Sequence, residues 1–148
     1  MSNIIARTTT EHRPVANVAR STDVGHPYQY VVLRAVPRVD REEFLNVGVV
    51  LHSQESDFLD AAFTVDETRL RAAFPDIDLD AVRAALEIVC AVCRSETGRG
   101  LPDLGPAVKR FGWISAPRST VVQPGPVHGG VTGDPAAELT RLLSRLVG

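Results

Sequence analysis

The sequence is short of lysine, cysteine and aromatic residues, and each shortage closes off a class of protein. Lys109 is the single lysine among sixteen basic residues, and eighteen acidic residues bring the formal net charge to −2. Sequence-independent binding of nucleic acid needs a basic excess that displaces counterions, so no nucleic-acid partner is expected. Aromatics make up 5% of the chain and include one tryptophan, Trp113, too few for a platform on which bases stack. No apolar run approaches the ~20 residues that cross a bilayer, so no membrane association is expected. The opening segment "MSNIIARTTTEHRPVANVARSTDVGHP" lacks the continuous apolar stretch of a secretory signal. A cytoplasmic location follows as the expectation.

Two cysteines, Cys90 and Cys93, form the one C-x-x-C pair. Redox pairs of this spacing sit at the start of a helix, where the dipole stabilises thiolate; here the pair falls near the end of a long helical pattern, where the dipole opposes it. No second pair and no neighbouring histidine completes a zinc site, and no H-E-x-x-H is present. The cysteines read as reduced core residues, with no metal and no cofactor expected.

What is present is the pattern of one α+β domain. A chain of 148 residues suits a single core. Residues 1–26 are polar and unpatterned and read as a flexible tail, with the folded domain running over 27–148. "YQYVVLRAVP" (28–37) is rich in β-branched and aromatic residues and reads as an inner strand. In "RVDREEF", Asp40 and Glu43 have the spacing of a capping box around a single helical turn. "LNVGVVLHS" resumes strand character, and "FLDAAFTV" alternates, with Leu59, Ala61, Phe63 and Val65 on one face. Asp66 and Asp78 then stand as caps before two helical segments. The second carries a buried stripe of Leu79, Val82, Leu86, Val89, Cys90 and Cys93. "FGWISAP" and "STVVQPGPV" read as two short strands and "HGGVTGDP" as a glycine-rich connector. Asp134 followed by Pro135 opens a last helix with Leu139, Leu142, Leu143 and Leu146 on one side. Grouped strands and grouped helices predict a mostly antiparallel sheet of about five strands, packed on one side by about three helices.

The residues with chemical promise are few. Arg118, Ser119 and His128 lie in the polar, glycine-rich stretch "APRSTVVQPGPVHGG", the kind of segment that meets a phosphate. Arg34 projects from the first long strand, where an unpaired charge has little room. The surrounding charges Arg38, Asp40, Arg41, Glu42 and Glu43 read as a salt-bridged rim. Ser119 has no G-x-S-x-G elbow, and nothing in the sequence places a carboxylate behind His128, so no catalytic set is assigned. Asn46 and Gly48 in "EFLNVGVVL" read as geometry. Gly48 marks a bulge or close backbone approach in the second strand, and Asn46 satisfies a backbone group that the bulge leaves unpaired.

The motifs "EFLNVGVVL" and "APRSTVVQPGPV", within a likeness running from about Tyr28 to Val147, resemble the bacterial domain-of-unknown-function 3037 family, in its actinobacterial form. The family brings no activity and no catalytic residues. The resemblance does imply a paired role, since its members are often encoded beside a HipA-like kinase-domain protein. The leading expectation is therefore an accessory protein that binds a protein partner. The alternative is binding of a small anion, nucleotide or phosphate, through Arg34, Arg118, Ser119 and His128. A phosphoryl-transfer or hydrolytic enzyme using Arg118 and His128 is the less favoured form of that alternative.

Overall fold

Alternation of side chains along the strands builds one sheet with two buried faces. The computed structural model describes residues 3–7, 25–96, 98 and 100–148. Six strands pair antiparallel: β1 (Asn3–Arg7), β2 (His26–Ala35), β3 (Leu45–Ser53), β4 (Phe58–Asp66), β5 (Val122–Pro124) and β6 (His128–Thr132). Their order is β1-β4-β3-β2-β5, with β6 also on the outer side of β2. Four helices accompany them: α1 (Glu67–Ala73), α2 (Leu79–Cys93), α3 (Ala107–Ser115) and α4 (Pro135–Leu146). Among the described residues, no helix is long and apolar enough to cross a membrane.

The first face carries Val31, Leu33 and Ala35 of β2 with Leu59, Ala61, Phe63 and Val65 of β4, and packs against α1, α2 and α3. The opposite parity, including Tyr28, Val49, Leu51, Phe58 and Ala62, packs against Leu139, Leu142 and Leu143 of α4. The fold is α+β, with three helices on the expected side and α4 on the other. A second layer is required because every residue of β4 from Phe58 to Val65 is buried, and apolar residues of both parities cannot be hidden by one layer.

Local chemistry sets the helix starts. Asp66 accepts from the Arg69 amide, Asp78 from Ala81 and Asp134 from Ala137, each at 3.1 Å. Each carboxylate thereby satisfies a donor that the first helical turn leaves open. Pro135, at the first position of α4, has no amide to satisfy. Cys90 and Cys93 are buried free thiols; burial pushes Cys90 up to about 12 and holds Cys93 well above the usual thiol range.

Several local expectations are corrected. "FGWIS" is the second half of α3: its helix opens after Pro106, and Phe111 and Ile114 share a buried stripe three residues apart. "HGGVT" is strand β6, its conformation set by pairing with β2 although its glycines carry no alternation. Asn3–Arg7, within the segment read as a tail, pairs with β4, with Ile4 opposite Val65; residues 8–24 lie outside the described residues. No capping box forms. Arg38 takes Asp40 at 2.8 Å and Arg41 takes Glu43 at 2.7 Å, because a bidentate guanidinium is the stronger partner for each carboxylate. Arg38, Asp40, Arg41 and Glu43 form the exposed, salt-bridged rim foreseen there, while Glu42 is exposed with no ion pair to a described residue.

Gly48 does sit at a bulge. Arg34 lies opposite Asn46 while Leu33 lies opposite Gly48, so Val47 is an extra residue in β3. A Cβ at Gly48 would stand 2.9 Å from the Ala62 carbonyl oxygen and 3.1 Å from Phe63 Cβ. Close approach of β4 therefore leaves no space for a side chain there.

Candidate functional site

β5 and β6 together make one broken edge strand along β2. Leu33 lies opposite Pro124 and Tyr30 opposite His128, so three steps on β2 match four on the edge. The extra residue falls in the break at Gly125–Val127. There the Gly125 amide still donates to the Val32 carbonyl at 2.8 Å. On the second face α4 packs against β3 and β4, which leaves Tyr30, Val32 and Arg34 of β2 partly exposed beside it.

Two side-chain pairs occupy this open area. The Tyr30 and His128 rings stack with centroids 5.2 Å apart. The Arg34 guanidinium carbon lies 4.1 Å from the centre of the Phe44 ring, a cation–π contact. Gly125 lies against the same guanidinium: a Cβ there would come within 3.1 Å of its Cζ, Nε and Nη2. Arg34 Nε is buried without a hydrogen-bond partner.

Four arginines are partly buried among the described residues, and three of them have acceptors. Arg83 binds the Glu67 carboxylate. Arg110 donates to the carbonyls of Val92 and Cys93, at 3.1 and 2.6 Å. Arg118 donates to the Trp113 carbonyl and stacks on the Trp113 ring at 4.4 Å. The Arg34 side chain has no hydrogen bond or ion pair to any described residue.

The sequence-predicted residues therefore divide. Arg34 and His128 share the second face, His128 lying opposite Tyr30, about 13 Å of strand from Arg34. Arg118 is committed to the C-terminus of α3 on the first face, and burial lowers its pKa. Ser119 is exposed in the following loop. The structure does not bring Arg118 and His128 together, and among the described residues no carboxylate hydrogen-bonds His128. Nor do any three His, Cys, Asp or Glu side chains among those residues cluster as metal ligands. Phe44 and Gly125, which hold Arg34, escaped the sequence reading. The available signal was glycine between two prolines in "PGP", a residue needed where another side chain lies on the backbone.

Asn46 serves the end of α4 and not the bulge as expected: its amide donates to the Leu146 carbonyl at 3.1 Å, because that carbonyl, at a helix C-terminus, lacks a donor within the helix. Tyr28 anchors α4 from the other end, donating to Glu138 at 2.5 Å. Burial, and then Glu138 itself, push the phenol up to about 12. Arg141 grips Glu138 with two bonds, at 2.9 and 2.6 Å, and holds that carboxyl below its ordinary range.

Two clefts lie elsewhere. One of about 330 Å³ separates the salt-bridged turn from Phe74, Pro75 and Ile77. The other, about 710 Å³, opens over His52, Gln29 and Val108. His52 is buried and stacks on Phe111 at 5.3 Å; burial, then Arg110, lower its pKa and favour the neutral ring.

Fold and site together define a small α+β protein in which, among the described residues, the glycine-rich strand β6 pairs with β2 alone and the nearby Arg34 side chain has no acidic partner. The chain belongs to the DUF3037 family, described as "Protein of unknown function", whose profile matches residues 30–147. No curated protein and no solved structure matches it.

Proposed function

We propose that this chain is an accessory protein that binds a protein partner along the β5–β6 edge. The observation that supports this reading is the character of β6. Sheet edges are normally blunted by charge, proline or a covering element. Pro124 and Pro126 guard the break, but β6 itself, "HGGVT", carries no lysine, arginine or carboxylate. Val131 on β6 is 70% exposed, and Val127 just before it is 46% exposed. Among the described residues β6 pairs with β2 alone, so its outer row of amides and carbonyls is open to an added strand.

The resemblance to the family points to a HipA-like kinase-domain protein as the partner to try. Calorimetry with the purified pair should give a complex of micromolar affinity. Val131→Lys, which places a charge on the edge, should weaken it by about tenfold or more while leaving the fold intact, since a buried charge at an interface is costly. Absence of a complex with the wild-type chain rejects this pairing. An unchanged affinity in Val131→Lys rejects the edge as its surface.

A further inference from the structure

We propose that Arg34 is a preformed binding site for a single carboxylate group. A partly buried guanidinium loses hydration that only an acceptor restores. The three other half-buried arginines of the described structure all have such acceptors, whereas Arg34 has an aromatic ring and a glycine. Phe44 supports the guanidinium, and the bare Gly125 backbone leaves it room. These contacts fix the plane of the group before any ligand arrives, and so reduce the ordering cost of binding.

The buried, partnerless nitrogen is Nε, whereas the two terminal nitrogens are not enclosed in this way. Their paired N–H bonds form a fork whose spacing matches the two oxygens of a carboxylate. One guanidinium also balances one carboxylate, whereas a phosphate dianion calls for further donors. The one titratable side chain of β5 and β6, His128, lies about 13 Å of strand away, too far to share the same small anion.

The site stands apart from the edge-strand reading, because a free carboxylic acid and an acidic side chain on a partner present the same group. The first test is titration of the isolated wild-type chain with sodium acetate at ionic strength held constant with chloride, followed by nuclear magnetic resonance. The Arg34 Nε–Hε and Gly125 amide signals should shift and saturate with a millimolar Kd. In Arg34→Gln, which lacks the Nε–Hε group, the Gly125 amide shift should be abolished. Gly125→Ala, which pushes the guanidinium aside, should weaken binding several-fold in a chain that still unfolds cooperatively. No saturable shift, or an equal Gly125 shift in Arg34→Gln, overturns the proposal. Inorganic phosphate binding about tenfold tighter than acetate, a difference of ~1.4 kcal/mol, overturns the assignment to carboxylate. If the carboxylate arrives on a partner, Arg34→Gln also weakens the complex with the kinase-domain protein; if it is a free acid, that complex is unaffected.

Discussion

Asn46 Nδ2 donates to the carbonyl of Leu146 at 3.1 Å and so ties the start of β3 to the last turn of α4. Carbonyls at a helix C-terminus have no donor within the helix, and this one is supplied by a residue beside the β3 bulge. Asn46→Ala should cost about 1 kcal/mol, the usual net worth of such a bond, read as a lower urea midpoint with an unchanged slope. Asn46→Asp should cost more, because a carboxylate cannot donate and meets the negative end of α4. An unaltered midpoint in both variants would show that the bond contributes nothing.

Gly48→Ala tests whether the bulge is structural. The new Cβ would stand 2.9 Å from the Ala62 oxygen, a backbone atom held in the β3–β4 ladder, and so unable to swing away. The expected loss is about 1–3 kcal/mol, as for other overpacked interiors, measured by thermal unfolding. Partner affinity per folded molecule should stay as in wild type. A variant that folds normally and loses the partner would overturn the geometric reading of Gly48.

Alkaline stability follows from three protons held tightly in the fold, those of Tyr28, Cys90 and Cys93, the last also raised by burial. Tyr28 is raised from 10.0 to about 12 and Cys90 from 9.0 to about 12, both chiefly by burial. The folded state keeps these protons after the unfolded chain has released them. The stabilisation is intact below the unfolded values and is lost as pH rises from about 9 through about 12. Urea midpoints should fall steadily over that window. Tyr28→Phe should remove the part of the fall that begins near pH 10 and keep the part due to the thiols. A wild-type midpoint constant across the window contradicts these assignments.

Glu138 carries the opposite sign. Arg141 first, and Tyr28 to a smaller extent, hold its carboxyl below the ordinary 4.5. That stabilisation is present above the unfolded value and is lost as pH falls through the lowered one. Glu138→Gln should flatten the acid limb of the stability profile, with the effect tempered by the exposure of Arg141.

Both thiols should resist Ellman's reagent at neutral pH in the native chain and react on unfolding, since reaction needs an accessible thiolate. Rapid labelling of either cysteine with the circular dichroism unchanged would contradict their burial.

Much of the architecture can be read from short-range chemistry. Asp66, Asp78 and Asp134 announce their helices because a cap depends on residues within one turn. The stripe from Leu79 to Cys93 is equally local, and all six of its members are buried. β6 and β1 were obscured because an edge strand takes its conformation from the neighbour it pairs with, and "HGGVT" offers no alternating side chains. "FGWIS" misleads when taken alone; read from Pro106, the apolar positions Ala107, Phe111 and Ile114 fall on one helical face. Arg34 and His128 were recognised as unusual by residue type and position, yet their arrangement depends on which strands become neighbours. The same holds for Phe44 and Gly125, distant in sequence and brought to one guanidinium by the order β3-β2-β5.

The position of α4 also governs the order in which the protein can be completed. β3 and β4 are adjacent in sequence and joined by a short turn, so they can pair early. The face they turn toward α4, with Val49, Leu51, Phe58 and Ala62, packs against Leu139, Leu142, Leu143 and Val147, which are synthesised long afterwards. A growing chain therefore carries a formed but bare apolar hairpin face until its last helix docks. That interval is when the chain is most prone to self-association, and slower docking of α4 lengthens it.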